Sequence, residues 1–282
     1  MAAPVTAPLL AQAFREFYDP SLTRELPERF AATPLWQVGI ATLVVCMIAA
    51  EVGYRIGRWV RRRAAESEPE APVRSMVGAA MALLAFLLAF TFNMAAAQHQ
   101  ARRQLALEEA NAVRTAWLRA TLLPQPQQDQ TRALLREYVE ARQEADRTLL
   151  IGRSVRRAHE LRKELWGHVS SAAAADPHST LVPLVVESLN HVFEVGTRRV
   201  GTGLFSRIPQ PIWLVLFTLT ALALGTEGYL NGLTGSRRAL ALASVVLSLS
   251  LVILLISDLD SPRMGFLRVS HVELEELLRE MR

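Results

Sequence analysis

Cysteine is almost absent from this chain: the 282 residues contain one, Cys46. A single thiol builds no intrachain disulfide framework and no thiolate metal site, so neither covalent staples nor cysteine-bound zinc can organise the fold. Charge is missing from particular places. Residues 31–50, 75–101, 208–226 and 239–257 hold no Asp, Glu, Lys or Arg, in runs of 20, 27, 19 and 19 residues. An apolar helix needs roughly 20 residues to cross a hydrocarbon layer about 30 Å thick, so each run is long enough to span a bilayer. The first 34 residues mix Glu16, Asp19, Glu25 and Glu28 with Arg15, Arg24 and Arg29, and no short apolar core precedes a small-residue cleavage site. No cleavable signal peptide is expected there.

The sequence also lacks the patterns that carry catalysis. There is no Gly-rich phosphate loop, no Gly-x-Ser-x-Gly elbow and no dinucleotide fingerprint. Five of the six histidines (His99, His159, His168, His178, His191) fall between spans two and three, and none pairs with a second histidine or a carboxylate at a metal-binding helical spacing. Glu187 and His191, four residues apart, read as a helix-surface pair. The expectation is a non-enzyme with no cofactor and no bound metal. A net charge of +4 and a pI near 9.8 raise the question of nucleic acid. The basic residues instead crowd beside the spans, at Arg58, Arg61, Arg62 and Arg63 and at Arg237 and Arg238, where membrane-flanking charge accounts for them without nucleic acid.

What is present reads as an all-α chain of four transmembrane helices with a soluble helical bundle inserted between spans two and three. Residues 1–34 form an N-terminal segment in which Leu9, Leu10, Ala13, Phe14 and Phe17 have the spacing of an interfacial amphipathic helix. Spans one and two occupy 35–97, the first running from about Leu35 to Tyr54, with a polar loop at 55–74. The second has no helix breaker until Pro124, so it is expected to leave the membrane and continue as the first helix of the bundle, 98–207. That region carries sixteen Lys or Arg against twelve Asp or Glu. Apolar stripes place further helices at 127–151 (Leu134, Leu135, Tyr138, Ala141, Ala145, Leu149), 154–174 (Ala158, Leu161, Leu165, Val169) and 178–200 (Leu181, Val185, Leu189, Val192, Phe193). Asp176 and Pro177 are expected to cap and open the last of these. Spans three and four fill 208–257, and the tail 258–282 ends in a short charged helix from about Glu273 to Arg279.

Two places carry candidate chemistry. On span two, Phe86, Phe90, Asn93 and Ala97 share one helical face. Rings of Phe around a symmetry axis make a constriction that controls ion passage by dewetting, and amides below it offer dipoles to a partly dehydrated ion. The other reading sets the same rings against lipid or a neighbouring helix, with Asn93 bonded across to another helix. At the end of span four, Asp258 and Asp260 offer hard oxygen ligands suited to calcium, which needs six to eight of them. A salt bridge to Arg102, Arg103 or Arg263 satisfies the same carboxylates with less. Glu51 and Glu227, just outside spans one and three, read as members of interfacial pairs with Arg55 or Arg238.

Several short motifs agree in order along the chain: Leu88-Ala89-Phe90-Thr91-Phe92-Asn93-Met94-Ala95, Ala101-Arg102-Arg103-Gln104-Leu105, Glu109-Ala110-Asn111-Ala112, Leu118-Arg119-Ala120-Thr121-Leu122-Leu123-Pro124, Ser188-Leu189-Asn190, Arg207-Ile208-Pro209, Gly228-Tyr229-Leu230-Asn231-Gly232-Leu233, and Asp258-Leu259-Asp260-Ser261-Pro262-Arg263-Met264-Gly265 with Arg268-Val269-Ser270. Together they resemble the bestrophin-like family of bacterial membrane proteins. Bestrophins proper are pentameric ion channels with a large helical domain between the second and third spans and a hydrophobic neck on the second. The resemblance implies that Phe86, Phe90 and Asn93 line a pore, that Asp258 and Asp260 sit where bestrophins carry an acidic ion-binding cluster, and that the chain forms a homo-oligomer, a pentamer, around an inorganic ion. This chain departs from the pattern in lacking a run of consecutive aspartates.

The expected location is a bacterial inner membrane, crossed several times, with the lipid bilayer as a partner. Orientation is contested within the sequence. Six arginines between spans one and two argue for that loop inside the cell, which leaves the bundle outside, whereas the bestrophin resemblance implies a cytoplasmic bundle. Two functions follow: an oligomeric passive ion pathway lined by span two, or a non-conducting scaffold or sensor whose bundle binds a partner.

Overall fold

The computed structural model describes residues 35–63, 70–147, 151–235, 239–261 and 272–282. The amphipathic stretch expected at Leu9–Phe17, residues 64–69 of the polar loop expected at 55–74, Arg237, Arg238 and Arg263 lie outside the described residues. Eight α-helices occur among those described, with no strand: α1 (Leu35–Arg63), α2 (Glu70–Arg119), α3 (Gln127–Arg147), α4 (Ile151–Ala175), α5 (Val182–Phe205), α6 (Gln210–Thr234), α7 (Ala239–Asp260) and α8 (Val272–Glu280). Four of them, α1, α2, α6 and α7, are long and apolar enough to cross a membrane.

The chain divides into two compact units. One contains Glu109–Val195 together with α8; the other contains Thr33–Glu108 and Gly196–Ser270. Helices α2 and α5 each contribute residues to both. α2 is unbroken for 50 residues and tightens into a 3-10 turn at Ala120–Leu122, just ahead of Pro124. Its start at Glu70 lies before the expected one, because Pro72 falls in the first turn, where a missing N–H costs no hydrogen bond. α1 likewise outruns Tyr54 and reaches Arg63, since the five arginines of this stretch favour helix and no proline breaks it.

In the unit that carries the spans, α1 and α6 run parallel with backbones in contact. A Cβ added at Gly57 would fall on the carbonyl of Tyr229, one at Gly228 on the carbonyl of Ala50, and one at Gly232 on that of Tyr54. Small residues permit this approach where no hydrophobic drive separates helix from lipid, and van der Waals packing then supplies the attraction. α6 ends at Gly235, whose φ of 72° is the left-handed cap that glycine adopts without strain. On its other side α6 presents Leu216 and Ala223 to Leu84, Leu88 and Ala95 of α2 and Ile253 and Ile256 of α7 in a common apolar core.

The bundle packs most of the expected stripe residues, with the side chains of Ala145 and Leu149 outside the described residues. Leu135, Tyr138, Leu161, Leu165, Val169, Val185, Leu189 and Val192 are all buried in one core with Ala112, Val113 and Ala116 of α2. Two details differ from expectation. α5 starts at Val182, not near 178, and Leu181 is exposed. A helix opening at Pro177 would carry Pro183 in its interior, where the ring clashes with the preceding turn; starting at Val182 puts Pro183 in the first turn. Asp176 therefore closes a local turn, accepting from the His178 N–H at 3.2 Å, and the Ser179 hydroxyl accepts from the Leu181 and Val182 N–H groups at 3.4 Å. The tail helix α8 is also more than a charged appendage, because Leu274 and Leu277, with Met281 just after the helix, are buried in the bundle core.

The glycine seam sets a test. Gly57→Leu or Gly228→Leu should cost about 3 kcal/mol or more through backbone collision, read as early loss of ellipticity on heating in detergent. Gly78, which meets nothing within 4 Å, should accept Ala without loss. A Gly228→Leu protein that melts with the parent would contradict the seam.

Candidate functional site

The second span has two unlike faces. Leu84, Leu88, Thr91 and Ala95 are buried within the protomer, and the Thr91 hydroxyl is satisfied by donating to the Leu87 carbonyl at 2.7 Å. The same spacing shifted by two residues gives Phe86, Phe90, Asn93 and Ala97. All four are exposed, Phe86 at 71% and Phe90 at 56%. The helix thus turns its expected site residues away from α6 and α7. The Asn93 amide has no hydrogen-bond partner among the described residues, although it lies on a membrane-spanning helix. In hydrocarbon an unsatisfied amide costs several kcal/mol, so water, an ion or another chain must meet this group.

Below that face, Arg102 of α2 is buried and reaches the end of α7. Its Nη1 donates to the Asp260 carbonyl at 3.1 Å and its Nη2 to the Leu259 carbonyl. A guanidinium at a helix C-terminus satisfies orphan carbonyls and complements the helix dipole. The Asp260 carboxylate in turn accepts from the Ile208 N–H at 2.8 Å, just ahead of α6. One arginine and one aspartate therefore fasten three spans at one level. Arg102 goes to the backbone carbonyls instead of bridging the carboxylates. Asp258, two residues back, is buried. Any cation at Asp258 and Asp260 would share the site with that guanidinium. Among the described residues no group of three or more His, Cys, Asp or Glu side chains is placed to hold a metal.

The remaining acidic candidates are locally paired. Glu51 accepts from Arg55 Nε at 2.9 Å on the exposed side of α1. Glu227 accepts from the Asn231 side chain at 3.3 Å, one turn along α6. Glu187 meets Arg119 of α2 at 3.4 Å. His159 is held below its ordinary pKa, first by burial and then by Lys163 and Arg162.

Sequence reasoning missed a buried polar cluster in the bundle. Glu109 of α2 is fully buried; Tyr138 of α3 donates its hydroxyl to Glu109 Oε1 at 2.6 Å, and Arg142, one turn further along α3, donates from Nη2 to Oε2 at 3.1 Å. The signal was available as Tyr138 and Arg142 at i and i+4 on a stripe otherwise apolar, but no local pattern identifies the partner 29 residues away. Burial, then the neighbouring Glu109 charge, push the Tyr138 phenol up to about 12 from 10.0. A phenol raised in the folded state adds stability that is complete below pH 10 and is lost as pH climbs towards 12.

The family model for the bestrophin-like domain matches residues 43–274. The chain belongs to the bestrophin-like family. Among curated proteins nothing matches it. Solved structures do: a crystal structure of a bacterial bestrophin homologue from Klebsiella pneumoniae carrying a point mutation superposes with a TM-score of 0.62 at 15% identity, covering 86% of this chain and 97% of that one. A second structure of a Klebsiella pneumoniae homologue, solved by zinc phasing, gives 0.59 at 16% identity over 86% and 96%. Identities this low carry the fold alone. The family match and the four apolar helices support a multi-pass membrane protein.

The polar cluster yields two expected outcomes. Glu109→Gln, which strands the Arg142 charge, should destabilise the protein by about 3–5 kcal/mol, seen as a fall in Tm. In a spectroscopic pH titration of the folded protein, one tyrosine should ionise near pH 12, and Tyr138→Phe should remove that late step; a parent whose tyrosines all titrate near pH 10 would contradict the burial.

Proposed function

We propose that this bestrophin-like chain assembles as a homo-oligomer around an ion pathway lined by α2, in a bacterial inner membrane. The observation that carries the proposal is Asn93, an exposed amide on a candidate membrane span that has no hydrogen-bond partner among the described residues. Around an axis, copies of Asn93 face each other and water, which satisfies the amide that lipid would leave stranded. Phe90 and Phe86, one and two turns before it on the same face, then form stacked rings of apolar side chains that gate passage by dewetting, and Ala97 widens the path beyond. The family resemblance adds the pentamer and the inorganic ion as the assembly and the cargo.

Within this reading Asp260 and Arg102 hold the span ends in register, and Asp258 lies one half-turn before Asp260. The alternative of a non-conducting scaffold or sensor, with the bundle as its binding domain, leaves the exposed α2 face to be covered by lipid or by a neighbouring chain.

The full-length protein in planar bilayers should conduct. Phe90→Ala, which removes one of the two apolar rings, should raise single-channel conductance severalfold, and Asn93→Leu should reduce it. Silent bilayers from intact oligomers would reject the channel and leave the scaffold.

A further inference from the structure

Beyond the α2 face, the spans carry an apolar groove of ≈610 Å³ along the α1–α6 seam. It is lined on α1 by Val52, Gly53 and Ile56 and on α6 by Leu222, Gly225 and Tyr229, among others, and both helices are candidate membrane spans. Its origin is the glycine contact: where backbones touch at Gly53 and Gly225, no side chains fill the valley between the helices. Val52, Ile56 and Leu222 border it with half or more of their surface exposed. The α6 residues lining the groove run from Phe217 to Tyr229, about 18 Å along the helix axis. One leaflet contributes about 15 Å of hydrocarbon, so the groove has the length of a single acyl chain lying along the protein.

One end of the groove is chemically distinct. The groove face of α1, carried on past Ile56 at helical spacing, reaches Val60 and then Arg63. Arg63 lies over the ring of Trp59, 4.3 Å from its centroid, and both side chains are exposed. Arg58, Arg61 and Arg62 occupy the same last turns of α1, and among the described residues none of these four arginines is paired with a carboxylate. A tryptophan under a guanidinium is the arrangement expected at headgroup depth, with an apolar body toward the chains and charge toward the phosphates. Dense positive charge there complements an anionic headgroup and is wasted on a zwitterionic one.

We propose that the α1–α6 groove binds one acyl chain of an anionic phospholipid, whose phosphate is met by Arg63 beside Trp59. The site needs only that α1 and α6 cross a bilayer and stands whether or not the protein conducts. It commits to lipid and not to a second copy of the chain because its polar end carries one sign of charge: two copies meeting there in the same orientation would bring like charges together.

The test uses the full-length protein in nanodiscs containing phosphatidylglycerol with a photoreactive diazirine on its acyl chain. Parallel discs carry phosphatidylcholine with the same chain. Adducts mapped by mass spectrometry should fall within 49–56 and 217–229, at least threefold more from phosphatidylglycerol, and Arg63→Gln should remove most of that preference. Equal labelling by the two lipids would overturn the headgroup assignment. Absence of adducts from these segments would overturn the site, as would protein-to-protein cross-links at Ile56→Cys, on a Cys46→Ser background, in place of lipid labelling. The labelling of unmutated protein does not depend on any variant folding.

Discussion

The direct contact of α1 and α6 backbones constrains everything else in the membrane-spanning unit. Glycine at 53, 57, 228 and 232 lets two parallel helices touch without intervening side chains, which spends one whole face of α6 on α1. Its remaining apolar face must serve both α2 and α7, and it does so through Leu216 and Ala223. With α6 shared in this way, α2 has one side to bury and one side left over. Small residues in membrane helices are usually read as a device for close packing; here they also determine which face of a neighbouring helix remains uncovered and where a valley opens toward lipid.

Helix α2 carries the second constraint. Because no proline or glycine interrupts it after Gly78, one hydrogen-bonded rod holds Phe86 and Asn93 near its middle and Glu109 beyond them. Glu109 is locked by Tyr138 and Arg142, and Arg102 by the end of α7. A buried carboxylate with two hydrogen-bonding partners resists rotation of its helix, since any turn would strand a charge away from water. Within the membrane-spanning unit, the hold of Arg102 on the end of α7 restrains rotation of α2 and so of its exposed face.

Much of this was legible in the amino-acid sequence because bilayers impose strong rules on charge. Four uncharged runs located the spans, and helical spacing grouped Phe86, Phe90, Asn93 and Ala97. The stripes of Leu135, Leu161 and Leu189 named core residues of the bundle. What was not legible depended on contacts distant in sequence or on competition between local signals. Nothing around Glu109 announces that it is buried, since its partners lie on α3. Pro177 and Pro183 both open helices well, and only the cost of an interior proline chooses between them. The glutamates of α8 masked Leu274 and Leu277, which the bundle core takes in. Asp260 offered either an oxygen ligand or a salt bridge in sequence; its contact with the Ile208 N–H is visible only once spans three and four are side by side.

The central claim is that the Asn93 face of α2 meets water in the assembled protein. Its most direct test is thiol accessibility in liposomes. With Cys46 replaced by Ser, Asn93→Cys should react readily with a charged, water-borne thiosulfonate reagent, as a thiol in an aqueous pathway does, while Leu251→Cys at mid-span on α7 stays inert. If Asn93→Cys is as unreactive as Leu251→Cys in oligomers that remain folded, the face is turned to lipid or packed dry, and the account of α2 as a pore lining is wrong.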